Sequence, residues 1–317
     1  MRIAVVDLGT NTFHLLIADL SNGHFEIIYR EKTAVKIGKN GISKGLISDE
    51  AQFRALQTLE HFQTLINSYN VSKTRSIATS AFRNAVNGFE FANTIKDKIG
   101  FEIEIISGDD EASFIYEGVN LATNLCQKKA LVVDIGGGSV EFIIGINGKK
   151  VWQRSYEIGG QRLMDMFHQK DPIPNANIDL LKSYLNTKLA SLFDAINDFN
   201  PEYLVGSSGS FDTLAEIYQR ETRPDFDIEK EKTTLLPVEV FYSIHQSILK
   251  KNKEERLKIP GMIELRADMI VVASILIETL LRRLPQNPIL VSTFALKEGV
   301  LKQELDILAF DFQNNSD

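Results

Sequence analysis

The stretch LVVDIGGGSVEFIIGINGKK, residues 131–150, opens as a buried strand and then sets an acid, Asp134, and three glycines, Gly136 to Gly138, where apolar packing ought to continue. AVVDLGTNTFHLLIADLSNG, residues 4–23, follows the same plan. In both, an apolar triplet precedes the acid, Asp7 or Asp134, one apolar residue follows it, and a glycine comes next, Gly9 or Gly136. Beyond a hydroxyl residue the chain returns as a second apolar run, and Asn22-Gly23 or Asn147-Gly148 supplies a two-residue hairpin turn. HFEIIYR and KKVWQRSYEI then read as third strands. Each stretch predicts a three-stranded meander, and the spacing of the two acids suits a duplicated domain rather than a solenoid repeat.

Beyond each meander the pattern changes to strands alternating with helices. RSIATSA (75–81) reads as a strand before a helix over AFRNAVNGFEFANTIKDKIG, and EIEIISG as a strand before the helix DDEASFIYEGVNLATNL. In the second half a helix is expected from about 178 to 199, then the strand EYLVGSSGS (202–210) and the helix FDTLAEIYQR. Residues 221–237 read as a loop, PVEVFYSIHQSILKKNKEERLKI and ELRADMIVVASILIETLLRRL as helices, and FQNNSD as a frayed tail. Residues 31–74 receive no assignment. The fold class is α/β, a mixed sheet covered on both sides in each half.

The bulk properties narrow the function classes. At 317 residues and 44% hydrophobic content the chain supports two domains with real cores. A net charge of −7 without a block of like charges disfavours a nonspecific nucleic-acid or anionic-membrane binder. Cys126 is the only cysteine, which excludes an internal disulfide and a multi-cysteine zinc site and fits a reducing compartment. The start MRIAVVDLG is no signal peptide, and MIVVASILIETLL meets Glu278 before the roughly 18 residues a membrane span needs. A cytoplasmic, soluble protein is expected.

Glycines directly after a strand let backbone N–H groups form an anion-binding nest. Gly136, Gly137, Gly138 and Ser139 would cradle phosphate oxygens, and Asp134 would hold a hydrated Mg²⁺ against them. A tight hairpin explains one such loop; two at corresponding positions, the second being Asp7, Gly9, Thr10, Asn11 and Thr12, point to phosphate. The dinucleotide fingerprint fails because Glu141 stands at its third glycine, and the P-loop lacks its Gly-Lys-Ser/Thr. Gly206, Ser207, Ser208, Gly209 and Ser210 lie between a strand and a helix, as an anion site or as a plain serine cap. Thr79, Ser80 and Arg83 hold the matching place in the first half. Arg83, read as lying in the first turn of its helix, is unfavourable to the macrodipole unless it points to solvent or binds an anion. Phosphoanhydride hydrolysis needs a carboxylate to orient water, and Asp109, Asp110 and Glu111 are all candidates by chemistry. The five histidines show no metal spacing.

Taken in order, AVVDLGTNTFHLLIA, IATSAFRNAVNG, IISGDDEASFIYEGV, LVVDIGGGSVEF, YEIGGQRL, VGSSGSFDTLA, LRADMIVVASIL and FALKEGVL resemble the exopolyphosphatase and guanosine pentaphosphate phosphatase family from residue 3 to about 303. The resemblance implies the actin-like fold: two duplicated ribonuclease-H-like domains, 1–124 with about 300–317 and 125–299, and an active site in the cleft between them. It implies Glu111 as the catalytic base and Arg83 as the catalytic phosphate-binding arginine. Asp7, Gly9, Thr10, Asn11 and Thr12, Gly136 to Gly138 with Ser139, and Gly206, Ser208, Gly209 and Ser210 become the substrate phosphate loops. Asp134 and Glu141 are the expected ligands of Mg²⁺ or another divalent cation. Arg266 and Asp268 of the Arg-Ala-Asp motif are assigned to structure first. The implied substrate is inorganic polyphosphate, with guanosine pentaphosphate as the alternative; a phosphotransferase and a sensor without turnover are the readings outside hydrolysis. No nucleic-acid or membrane partner is expected, and homodimerisation is a family-level expectation. Three residues depart from the pattern. Asp110 replaces the first glutamate of Glu-Glu-Ala, while Ser113 and Lys297 stand where arginine is usual. Longer relatives continue into helical C-terminal domains.

Overall fold

Two antiparallel meanders organise the chain. The first is β1 (Arg2–Leu8), β2 (Phe13–Ser21) and β3 (His24–Thr33); the second is β6 (Lys129–Ile135), β7 (Val140–Ile146) and β8 (Lys149–Tyr156). The computed structural model describes residues 1–21, 23–39, 41 and 45–314, with side chains to 310. Asn147 and Gly148 both take positive φ, 52° and 76°, as the tight hairpin requires. Gly23 does the same at 78°, while Asn22 lies outside the described residues.

The chain divides into two units, residues 1–118 with 296–317, and residues 119–295. In the first, β4 (Lys73–Ala78) pairs parallel with β1, and β5 (Ile103–Ile105) pairs parallel with β4, giving the order β3-β2-β1-β4-β5. In the second, β9 (Tyr203–Ser207) pairs parallel with β6, and β11 (Ile289–Ser292) with β9. An extra edge strand, β10 (Thr233–Leu236), runs antiparallel to β11, so the order is β10-β11-β9-β6-β7-β8. The duplication is therefore one of strand order and direction.

Each sheet buries its central strands. Val6, Leu8, Phe13 and Leu15 pack with Phe62 and Phe82 in the first core, and Val133, Ile135, Phe142 and Phe211 with the α11 (Met269–Leu281) aliphatics in the second. Every residue of α11 is buried, which is why its apolar run shows no helical stripe.

Several expected elements are corrected. The helix read over residues 81–100 is two: α2 (Ser80–Asn84) and α3 (Gly88–Ile99). The break is enforced because a Cβ on Gly88 would lie 2.0 Å from the Phe82 carbonyl oxygen, while Asn87 exchanges two 2.9 Å hydrogen bonds with the Ile47 backbone. The helix over 178–199 becomes α6 (Asn175–Lys188) and α7 (Ala190–Phe199), separated at the buried Leu189. The loop 221–237 contains a 3-10 turn, Ile228–Lys230, and β10, where only Leu236 is buried. The helix read from 237 stops at Lys250 as α9 (Val238–Lys250), and Asn252 restarts it with a capping box as α10 (Lys253–Arg256). Residues 31–74 hold α1 (Asp49–Ser68), capped by Ser48.

Two helices end the units. α4 (Gly108–Thr123) follows β5, and α12 (Leu296–Asn314) follows β11 but belongs to the first unit, reaching past the point where fraying is expected. Glu304 on α12 is 1% exposed and takes ion pairs from Lys73 at 2.6 Å and Arg75 at 2.7 Å. Gly299 lets α12 meet α4, since a Cβ there would come within 1.8 Å of the Phe114 carbonyl oxygen.

Candidate active site

The turn after the first strand is built twice. The Gly9 N–H donates to the Thr12 carbonyl at 3.1 Å, and the Gly136 N–H donates to the Ser139 carbonyl at 3.1 Å. A Cβ would stand 2.9 Å from the accepting oxygen at Gly9 and 3.0 Å at Gly136. The acids one step earlier occupy matching register positions: Asp7 faces His14, and Asp134 faces Glu141.

In the first unit, the carbonyls of Thr10 and Asn11 accept from the N–H groups of Gly38 and Lys36, each at 2.9 Å. Thr12 Oγ1 is buried and, among the described residues, has no hydrogen-bond partner. A buried hydroxyl in that state calls for a polar ligand or an ordered water. β4 delivers Thr79 and Ser80, both buried, to the strand end beside Leu8, whose carbonyl accepts from the Thr79 N–H at 3.5 Å.

The three acids at the start of α4 separate by environment. Asp109 and Asp110 are exposed, whereas Glu111 is 7% exposed. Asp110 is taken up in capping: Ser107 Oγ donates to its carboxylate at 2.7 Å and accepts from its N–H at 3.1 Å. Glu111 Oε2 receives Arg83 Nη1 at 3.0 Å, and the same nitrogen donates to the Ile106 carbonyl at 3.0 Å. Arg83 lies in the last turn of a five-residue helix, not the first turn of a long one. It does not simply point into solvent; its anion is the Glu111 carboxylate.

In the second unit, Asp134 at the end of β6 is 5% exposed. Ser207 Oγ donates to its Oδ2 at 2.8 Å, and Ser208 Oγ to its Oδ1 at 2.7 Å. Ser208 adopts φ 69°, a conformation costly for a non-glycine residue, while its hydroxyl is held on Asp134. Across the ladder Glu141 is 1% exposed and accepts from Ser155 Oγ at 2.7 Å. Two buried carboxylates at opposed positions favour a cation between or beside them. Among the described residues no cluster of three or more His, Cys, Asp or Glu is set to hold a metal. The donor set is hard and oxygen-only, which suits Mg²⁺, an ion that keeps several waters and takes one or two carboxylates.

The glycine-serine stretch divides by role. Gly206 is an interior residue of β9, where a Cβ would fall 2.1 Å from the Phe211 ring, so core packing accounts for it. Gly209 opens α8 (Gly209–Arg220), and a Cβ there would fall 2.2 Å from Arg266 Nη2. Ser210 is buried in the first turn of α8. Arg266 is 7% exposed; burial pulls its guanidinium below its ordinary value, opposed by the charges of Asp212 and Asp134. Its place just before the largely apolar, fully buried α11 is a visible signal in the sequence. Asp268 instead pairs with Lys253 at 2.7 Å. Ser207, read as part of an anion site or cap, instead serves Asp134, and Ser155 is missed because it reaches Glu141 through strand register alone, which leaves no local signature.

Comparison with known proteins supplies the family. The model of the Ppx/GppA phosphatase family matches residues 16–307. A crystal structure of an exopolyphosphatase from Cytophaga hutchinsonii is 44% identical, with a TM-score of 0.93 over 96% of this chain and 98% of that one. Exopolyphosphatase 1 of Mycobacterium tuberculosis is 25% identical over 96% of this chain and 89% of its own length. The guanosine-5'-triphosphate,3'-diphosphate pyrophosphatase of Pseudoalteromonas translucida is 29% identical over 94% of this chain, which spans 58% of that relative. The duplicated sheets, the paired glycine turns and these matches together make the chain a member of the Ppx/GppA phosphatase family.

Proposed function

We propose that the chain is an exopolyphosphatase that hydrolyses the terminal phosphoanhydride of inorganic polyphosphate and releases orthophosphate, working in the cytoplasm. The observation that supports this most is the Glu111–Arg83 pair: of three acids at the start of α4, one alone is buried, and a guanidinium fixes its carboxylate at 3.0 Å.

In this reading Glu111 accepts a hydrogen bond from the attacking water and takes its proton as the oxygen bonds to the terminal phosphorus. The bridging P–O bond breaks, and its electron pair stays on the shortened chain. Phosphoryl transfer passes through a loose transition state, so orientation and charge stabilisation matter more than a strong base. Arg83 orients Glu111, and its guanidinium charge favours phosphate oxygens beside that carboxylate. The N–H groups of Gly137 and Gly138 have no partner among the described residues and are the second unit's donors for phosphate oxygens. Within their own units the Thr12 and Ser210 hydroxyls, the Asn11 amide and the Ser208 N–H are the donors for further phosphates, whereas the Asp7 carboxylate reaches phosphate only through water or a cation. Asp134, with Glu141 opposite it on β7, would hold the metal, and Mg²⁺ when bound would neutralise charge on phosphate oxygens.

A second reading, hydrolysis of the 5′ γ-phosphate of guanosine pentaphosphate, is favoured by the Pseudoalteromonas relative. Orthophosphate release from short polyphosphate, long polyphosphate and guanosine pentaphosphate, each with Mg²⁺ and then with EDTA, tests both. The expected result is fastest release from polyphosphate, lost with EDTA. Preference for the nucleotide would transfer the assignment to the second reading, and no release from any substrate would overturn both.

A further inference from the structure

The motif YEIGGQRL leads from β8 into α5 (Gly160–Phe167), and no role in catalysis attaches to it so far. Its backbone is bonded to the glycine turn throughout. The N–H of Gly160 donates to the Gly136 carbonyl at 2.8 Å, that of Gln161 to Gly137 at 2.9 Å, and that of Gly159 to Gly138 at 3.1 Å. Arg162 Nε adds a second donor to the Gly138 carbonyl at 2.9 Å, and its Nη2 lies 3.3 Å from Glu157. The approach is so close that a Cβ on Gly159 would fall 2.4 Å from the Gly137 carbonyl carbon.

Three successive carbonyls thus point at the start of α5. In a trans peptide the N–H is antiparallel to the C=O, so the N–H groups of Gly137, Gly138 and Ser139 are turned to the opposite side. The positive end of the α5 macrodipole and the Arg162 charge both polarise these peptides in the sense that makes their N–H ends better anion donors. The helix terminus spends its own N–H groups on the turn and so is not itself the anion site.

We infer that Arg162 is a positioning residue: with the first turn of α5 it clamps the Gly136–Ser139 turn in its anion-binding orientation and so acts on the phosphoryl group through the turn. The inference rests on the proposed reading of that turn as a phosphate site. In the first unit the matching carbonyls of Thr10 and Asn11 accept instead from the N–H groups of Gly38 and Lys36, which lie in a loop and not at a helix start.

The test pairs Arg162→Gln with Arg162→Lys, which can still reach the Gly138 carbonyl. Inorganic phosphate is titrated into the full chain with Mg²⁺ while the amide resonances of Gly137 and Gly138 are followed, and kcat, KM and melting temperature are measured on polyphosphate. The expected result is that Arg162→Gln weakens phosphate binding and lowers kcat by about tenfold. KM should stay within about threefold and melting within a few degrees, and lysine should restore most of both losses. The inference is overturned if glutamine keeps phosphate affinity and kcat within twofold, or if both variants lose activity only in step with melting. If wild type releases no orthophosphate yet its glycine amides respond to phosphate and lose that response in Arg162→Gln, the hydrolase reading fails and the clamp stands.

Discussion

The two units share a strand order and a turn, yet differ at the residue facing the acid. In the first, Asp7 is opposed by His14, a side chain able to carry positive charge; in the second, Asp134 is opposed by Glu141, a second carboxylate. The parallel neighbour differs as well: Asp7 stands beside Ile77 of β4, and Asp134 beside Ser207 of β9, which hydrogen-bonds it. An identical backbone frame thus carries a cation-demanding acid pair in one copy and not in the other. The repeat supplies two glycine turns, and the two flanking positions differ in what they present to the acid.

The largest expected effect lies in the first unit. Glu111→Gln should lower kcat by about 10²–10⁴ with melting unchanged, whereas Asp110→Asn, at the position just before it on the same helix, should leave kcat within about twofold. Equal losses in steady-state rates would erase the distinction drawn between the buried and the capping acid.

Acid should loosen the second unit before the first. His245 is buried against Phe241, with its Nδ1 2.9 Å from Ser274 Oγ, and burial lowers its pKa to about 4 despite Glu278, with Lys182 and Arg282 adding to the fall. The unfolded chain takes up this proton near pH 6.5, the folded chain only near 4. The contribution is therefore complete above about pH 6.5 and declines as pH falls toward 4, by about 3 kcal/mol. Glu304 in the first unit behaves otherwise. Burial raises it, but Lys73 and Arg75 outweigh burial and hold it below its usual range, so its contribution persists until pH falls below about 4.5. Hydrogen exchange at pH 7, 5.5 and 4.5 should show α9 and α11 losing protection before α12; simultaneous loss would contradict the assignment.

Asp134→Asn should raise the Mg²⁺ concentration needed for half-maximal activity by at least about tenfold, while Asp7→Asn should change it by less than about threefold. A metal titration of activity distinguishes them, and equal shifts would make the two acids equivalent. The smallest difference is expected for Gly9→Ala and Gly136→Ala, whose new Cβ atoms meet near-identical contacts; each should cost about 1 kcal/mol in denaturant melts.

Much of this was legible in sequence because it is local. Hairpin signals at Asn147-Gly148, alternation in the meanders and the repeated Asp-x-Gly spacing all act within a few residues, and the paired turns follow from them. What escaped depends on tertiary packing. The break before Gly88 comes from the Phe82 carbonyl and from Asn87 reaching Ile47, none of which a helical pattern records. β10 is an edge strand with one buried residue, so it reads as loop. At the site, chemistry alone left three acids open at the start of α4; burial and the Arg83 contact separate them. Arg162 and Ser155 act through backbone and register partners, which no spacing rule reaches.

The most direct test of hydrolysis is to run the reaction on short polyphosphate with Mg²⁺ in water labelled with oxygen-18 and weigh the released orthophosphate. The account predicts one labelled oxygen in each orthophosphate released in a single turnover, placed there by water attack on the terminal phosphorus. Orthophosphate without label, or phosphate found only on an added acceptor such as a nucleoside diphosphate, would contradict it.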